Sequence, residues 1–500
     1  MASHIQGDIE PAHPIATGDE LREAVPQQFN STTKKLVKRH DMTWHDHLIM
    51  LLHLGSAIEH ALMVQYLYAA YSLGGEQVPV DYRPMVQEWQ ETILSVAREE
   101  MGHLLTVQNL LTLLGAGVNL DRENFPWDIA YYPFPFILEP FTRGSLACYV
   151  YAEMPIAEQF PERDEIEKLA RDHAKEIGHR KDTVLHPVGE IYSEIIDLIG
   201  DESRIPDVAF NEQSISVQAS WDDWGRRYGP APIPLDAQGN LDNASAKPKT
   251  TSRVRANLLI DQVATRTQAL ATLTALSIQG EGPDSNADDG ELSHFQRFIK
   301  IFRDYEKIKD EPWSPSRRIT RNPNTVDLPG APDREGYIES SRTRNWANLF
   351  NTRYRLLLNY LAHTFRLARV TRPDEPSVRA VLMHRVFGEM YNLKTIAGIL
   401  VQLPLKDGNQ WKTAPQDVTF AGPPFEMPFS LSLPPGEADA WHNHLDVLGS
   451  ADSLCKCILA QNPRHEDKAY IETLFDLDGQ TRTLFKTILA GLEKTERYPV

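Results

Sequence analysis

A glutamate sits where a helix should bury a leucine. Thr43, with Asp46 three residues on, has the form of a capping box. From there to Ser72 the apolar residues Leu48, Leu52, Leu62, Tyr66 and Ala70 recur at helical spacing. Glu59 falls inside that stripe, three and four residues from Gly55, Ser56, Leu62 and Met63. A carboxylate buried alone costs several kcal/mol, so the fold has to give it a cation, a proton or a metal ion. Taken by itself, such a residue is more often a core glutamate satisfied by an arginine or a tyrosine.

A second helix, read over 84–114 and stopped by Gly115 and Gly117, changes that balance. Glu100 and His103 lie three residues apart, on the face that continues through Ile93, Val96, Val107 and Leu111. One helix carrying a Glu and the next a Glu-x-x-His is the ligand pattern of carboxylate-bridged di-metal bundles. Such a bundle needs matching ligands from two more helices, and several residues compete for those places. Glu153 follows the stripe of Leu146, Tyr149 and Val150. His186 and Glu190 share a face that also carries Ser193, Glu194 and Asp197, so that face reads equally well as solvated. Glu281 continues the stripe of Val263, Thr267, Leu270, Thr274 and Ile278, while Glu291 and His294 form a second Glu-x-x-His among Leu292, Phe295, Phe298 and Phe302. Four inward carboxylates cannot all ionise around one point without cations. Mixed carboxylate and imidazole ligands suit iron, with manganese the alternative, and the lack of thiolates speaks against a structural zinc site or an iron–sulfur cluster.

Along the chain, residues 1–42 read as a polar arm and 43–310 as the metal-binding bundle, with a polar insertion over 201–250. A charged, proline-rich linker spans 311–344 and a C-terminal helical domain 345–500. A Pro/Phe/Tyr crossover at 125–140 crosses one bundle end. Further helices are read over 145–154, over 162–199 with a break at Pro187, and over 253–279 and 291–306. Beyond the linker they are read over 346–370, 377–403, 438–460 and 467–492. The fold class is therefore mainly α. The formal net charge of −18 speaks against nucleic acid or an anionic membrane as partner. No apolar run approaches the length of a membrane span. Cys148, Cys455 and Cys457 read as free thiols, which makes a cytoplasmic address the expectation. Among the other histidines, His45 and His47 read as exposed, His442 and His444 as surface residues, and His60 as a neighbour standing behind the ligands.

With these residues assembled, the chain resembles the ferritin-like family of the iminophenyl-pyruvate dimer synthases, the C-terminal half of the enzymes that form bisindoles in violacein- and rebeccamycin-type secondary metabolism. The resemblance is carried by Ile58-Glu-His-Ala with Gln65-Tyr-Leu-Tyr-Ala, Glu99-Glu-Met-Gly-His-Leu with Gln108-Asn-Leu-Leu, Glu153-Met-Pro and Gly189-Glu-Ile-Tyr. Gln279-Gly-Glu-Gly, Ser293-His-Phe-Gln-Arg-Phe and Ala421-Gly-Pro-Pro-Phe-Glu complete it. It implies a ferritin-like bundle with a C-terminal helical domain, and a non-haem iron oxidase or oxygenase acting with dioxygen or peroxide on an amino-acid-derived imine. It favours Glu59, Glu100, His103, Glu190, Glu281 and His294 as ligands, with Glu153 and Glu291 behind them. Haem stays open as a further cofactor, although no Cys-x-x-Cys-His is present and no axial ligand stands out. The partners it implies are a small-molecule substrate and an upstream amino-acid oxidase, with homodimerisation open. Two alternatives remain: an iron-storage or peroxide-detoxifying relative, and a metal-free scaffold whose buried glutamates are satisfied by Arg and Tyr.

Overall fold

The Thr43–Asp46 box does start a helix: the Thr43 hydroxyl accepts from the Asp46 amide and the Asp46 carboxylate accepts from the Thr43 amide, each at 3.0 Å. This helix, α1 (Trp44–Ser72), ends where Gly74 and Gly75 take φ of +84° and +116°. Both values lie in the left-handed region that suits glycine, and a Cβ at Gly75 would lie 2.4 Å from the Gln77 side chain. α2 (Arg83–Leu113) returns alongside: Gln90 donates to the Ala70 carbonyl and Gln108 to the Ser56 hydroxyl, so the two helices run antiparallel. The computed structural model describes residues 38–497 apart from 128, 130–131, 156–159, 178–187, 221–222, 224–257, 282–291, 328–335, 369–376 and 408–417, together with the side chains of 281 and 493–497.

The remaining helices of the first half are α3 (Arg143–Ala152), α4 (Arg163–Glu176), α5 (Gly189–Gly200), α6 (Arg266–Glu281) and α7 (His294–Glu306). α3 packs on α4, α5 on α6 and α1, and α7 on α3, α6 and α2. α3 and α7 each open on a capping box, Thr142 with Ser145 and Ser293 with Gln296. The crossover folds as a short hairpin-like pair, Trp127 and Phe136 exchanging both backbone hydrogen bonds, and buries Phe134, Phe136 and Phe141 in the bundle core.

One helix is shorter than its periodicity suggests. The stretch expected to be helical from 253 is non-helical over 258–264, and α6 begins only at Arg266. Side chains of α2 and of the insertion satisfy its backbone instead. Thr106 donates to the Leu259 carbonyl, Asn109 to that of Asp261, and the Gln218 amide both donates to and accepts from Val263. Gly102 admits this strand-like segment, since a Cβ there would meet the Leu259 oxygen at 2.9 Å.

Four more helices, α8 (Ser341–Thr364), α9 (Val378–Leu400), α10 (Glu437–Ala460) and α11 (His465–Arg497), form the second half. They enclose a buried ion triad, Arg353 with Asp478 and Glu389. Their core also takes in Val64, Tyr68, Met101, Leu104 and Leu105 from α1 and α2. The described part of the 311–344 segment is stitched to both halves. Gly74 donates to the Pro315 carbonyl, Arg317 to that of Ser72 and Asn322 to that of Leu138, while Ile319 and Ile338 are buried in the second core. Among the described residues the extended segments make only isolated β-bridges. α1 is long and apolar enough to cross a membrane by composition, but most of its residues are buried inside the protein.

Candidate metal centre

Four helices deliver chemistry to one point in the bundle. Glu59 comes from the middle of α1, Glu100 and His103 from one turn of α2, Glu153 from the C-cap of α3, and His294 from the first position of α7. All five are buried. His103 Nδ1 lies 3.0 Å from Glu100 Oε2 and 3.6 Å from Glu59 Oε2. His294 Nδ1 lies 3.0 Å from Glu100 Oε1 and 3.6 Å from Glu153 Oε2. Glu100 thus bridges two groups able to hold an ion, Glu59–Glu100–His103 and Glu100–Glu153–His294. The two imidazoles stack 5.3 Å apart.

A ring of outer groups orients these side chains. His103 Nε2 lies 2.9 Å from the side-chain oxygen Oε1 of Gln279 and His294 Nε2 lies 3.0 Å from Glu99 Oε2. Both acceptors fix the proton on Nε2 and turn Nδ1 of each ring inward, free to bind a metal. Glu99 is itself clamped by both guanidinium nitrogens of Arg297. Tyr192 donates to Glu59 Oε1, and Tyr66 donates to Glu153 Oε1 at 2.5 Å. Of the inward atoms, Glu59 Oε2 has no hydrogen-bond partner, and Glu100 Oε1 and His294 Nδ1 meet only within the cluster, 3.0 Å from each other. Buried polar atoms are rarely left so, and atoms of these kinds aimed at one point fit a cation. Between them is a cavity of about 30 Å³ lined by Glu59, Glu100, His103, Glu153, Tyr192 and Gly280. The donor set and the orphaned Glu59 oxygen therefore fit one or two hard or borderline ions.

The electrostatics agree. Burial drives the Glu59 carboxyl up to about 7, with repulsion from Glu100 adding to it and His103 opposing. Burial and Glu100 also raise Glu153, against the pull of His294 and Tyr66. Burial resists ionisation of Glu100 too, yet His294 and His103 hold it well below the usual carboxylate range. For His103 burial disfavours the cation, but Glu100 and Glu59 raise it to about 10, and His294 is raised in the same way. Protons on the imidazoles supply the countercharge that a metal would otherwise bring, and a metal would displace them.

Not every expected ligand comes to this point. Glu190 lies half-buried in the first turn of α5 and belongs to neither group. Tyr192, two residues on and so roughly 200° around the helix, is the α5 side chain turned inward. Glu291, His186 and the side chain of Glu281 fall outside the described residues, as do Trp221 and Trp224 of the insertion. Three histidines sit differently from the expectation. His47 is buried beside Glu194, 3.3 Å away, because α2 and α5 cover the start of α1. His60 turns away from the cluster to bond the Tyr354 hydroxyl. His444 is buried against His363, with Nε2 and Nδ1 2.9 Å apart. Glu99, Arg297, Tyr66, Tyr192 and Gln279 were not among the expected site residues. Only the second carboxylate of the Glu99–Glu100 pair stood out as a stripe residue, and nothing local shows that the first reaches α7.

The Ferritin-like family model matches residues 52–303, half of the chain. Dichlorochromopyrrolate synthase of Lentzea aerocolonigenes is 26% identical over 449 residues, covering 83% of this chain and 38% of that protein. The 2-imino-3-(indol-3-yl)propanoate dimerase of Chromobacterium violaceum is 25% identical over 399 residues, covering 74% of this chain and 33% of that protein. The chain thus spans between a third and two-fifths of the length of these distant homologues. A crystal structure of a ferritin-like protein from Caulobacter vibrioides aligns with a TM-score of 0.37 at 15% identity, covering 70% of this chain and 95% of that one.

Proposed function

This chain belongs to the ferritin-like family, and from that membership we propose that its buried carboxylate–imidazole cluster holds iron, or manganese in its place, and serves oxidative chemistry on a small amino-acid-derived substrate. The observation that carries the reading is the pair of buried groups that share Glu100, Glu59–Glu100–His103 and Glu100–Glu153–His294, where four helices meet, with Glu59 Oε2 left without a hydrogen-bond partner. A metal-free scaffold would have satisfied them with Arg or Tyr, as it satisfies Glu99 and the outer oxygens of Glu59 and Glu153.

Glu59, Glu100, His103, Glu153 and His294 would hold the metal, with Glu100 shared between two positions. Bound iron supplies one-electron redox chemistry with dioxygen or peroxide. The chain's own part is positional and electrostatic. Tyr192 and Tyr66 pin one oxygen of Glu59 and one of Glu153, leaving the other oxygen of each free to face the centre. Glu99 and Gln279 keep the Nε2 protons of His294 and His103, so those rings cannot flip. The apolar walls, Leu62, Val188 and Leu276, limit water at the centre. The substrate class rests on the distant homologues, one of which is named for dimerising an indole-bearing imino acid. An imine of that kind is hydrolysed by water, which makes a dry site apt.

Metal analysis of the protein purified from iron-supplemented cells tests this reading, alongside the double variant Glu100→Ala/His103→Ala. About one to two equivalents of metal should bind to the wild type and essentially none to the variant. Full metal content in a folded double variant would overturn the assignment.

A further inference from the structure

Outside the carboxylate cluster, a cleft of about 690 Å³ opens where the ends of α1 and α2 meet α9. We propose that it binds a small organic carboxylate carrying an apolar body. Its volume lies in the range of roughly 300–1,000 Å³ typical of ligand pockets.

The charge is the first argument. Arg83, Arg317 and Lys394 all line the cleft, and none has a carboxylate within 4.0 Å among the described residues. The chain carries 69 acidic residues against 51 Lys and Arg, so three such cations on one cleft are not what chance pairing would leave. Arg317 is the inner one: it is half-buried, and Nη1 donates only to the Tyr71 and Leu73 carbonyls. Those neutral dipoles hold the guanidinium in place without cancelling its charge, and a ligand carboxylate would cancel it through charge-assisted hydrogen bonds. Lys394 and Arg83 stand exposed at the rim, where they would attract the anion. The opposing acids, Glu76 and Glu91, are exposed, and Glu91 is engaged by Gln87 at 2.9 Å.

The walls are the second argument. Tyr71, Val86, Leu94 and Val401 present apolar surface beside the cations. A bare inorganic anion would leave that surface wet, whereas an aryl or alkyl body would cover it. The cleft shares no residue with the metal cluster, and Leu94 is roughly 9 Å along α2 from Glu100. Occupancy therefore does not depend on the proposed metal, and the two readings can fail separately.

The full chain, stripped of metal by chelator, is titrated calorimetrically with 3-phenylpropanoate, with its neutral amide 3-phenylpropanamide, and with inorganic phosphate. The carboxylate should bind at least about tenfold tighter than the amide or phosphate. Lys394→Gln and Arg317→Gln should each weaken it several-fold, while Lys300→Gln on α7, whose partner is Glu88, should not change it. Gly398→Trp is the decisive variant. Gly398 lines the cleft on α9 and an added Cβ meets nothing within 4 Å, so a side chain there starts in open space, and an indole projecting into the cleft should abolish binding. Should Arg317→Gln fail to fold, because Arg317 braces the end of α1, Lys394→Gln and Gly398→Trp still decide. Equal affinity for acid and amide, equal affinity for phosphate, unchanged affinity in Gly398→Trp, or no binding at all would each overturn the proposal.

Discussion

Glu99 and Glu100 are chain neighbours with opposite duties. Glu100 faces two imidazole Nδ1 atoms, while Glu99 points outward, takes the Nε2 proton of His294 and is clamped by Arg297. That clamp holds the Glu99 carboxyl down to about 2 even though burial pushes the other way. Glu99→Gln keeps the shape but can present its amide nitrogen to His294, and it removes the carboxylate charge that both guanidinium nitrogens of Arg297 hold. Metal affinity measured by chelator competition should fall roughly 10–100-fold, the usual cost of losing a carboxylate behind a ligating histidine. An unchanged affinity would show that Glu99 serves packing alone. His444 offers a residue-level test of stability. Burial, with His363 and Arg366 nearby, lowers it to about 3, whereas an unfolded-chain histidine takes its proton near 6.5. Between those values the unfolded state binds more protons, so stability falls as pH drops from about 6.5 towards 3, and this group has no effect above that window. Denaturant titrations of His444→Gln across pH 4–6 should show a slope shallower by up to ~1.4 kcal/mol per pH unit. An identical slope in the variant would mean that His444 is not held neutral.

At the scale of elements, α2 is the organiser. Its inward face carries Glu100 and His103, and its outer side chains Thr106 and Asn109 hold the 258–264 segment in place of helical hydrogen bonds. Gly102 lies on the same face as Thr106 and Asn109, with Leu259 backbone against it. Gly102→Ala would ordinarily gain helix propensity, but here the new Cβ meets a backbone oxygen that cannot swing aside. Overpacking should win, with a loss of about 1–3 kcal/mol in urea unfolding, where an exposed helical Gly→Ala would gain. The α3 C-cap and the α7 N-cap place Glu153 and His294 by the same logic. Each ligand sits at a helix end whose capping residues set its direction.

For the whole molecule, the two halves share one boundary core. Met63, Leu67 and Phe125 pack against both clusters, and Tyr68, Met101, Leu104 and Leu105 of the bundle are buried by the second half. Each such side chain contributes about 1.5–3 kcal/mol on burial. A fragment covering 38–310 should therefore aggregate and lose metal, measured by size-exclusion chromatography and metal content. A monomeric, metal-replete fragment would show that the second half is dispensable to the centre.

Periodicity and capping signals were enough to read most helices and to place Glu59, Glu100, His103 and Glu153 on inward stripes, with His294 marked by its Glu-x-x-His spacing, because such signals act within one or two turns. Local pattern says which face a residue occupies but not what that face meets. Glu190 is the instructive case: its helix turns Tyr192 to the centre, and only the docking of α5 on α1 makes that choice. His47 and His444 look like surface residues until α5 and α8 cover them. The 258–264 segment looks helical until the side chains of α2 take its carbonyls. The helices and the kind of chemistry they carry follow from sequence-local forces, whereas the outer ring of Glu99, Arg297, Gln279, Tyr66 and Tyr192 exists only because packing brings together residues as much as 198 positions apart.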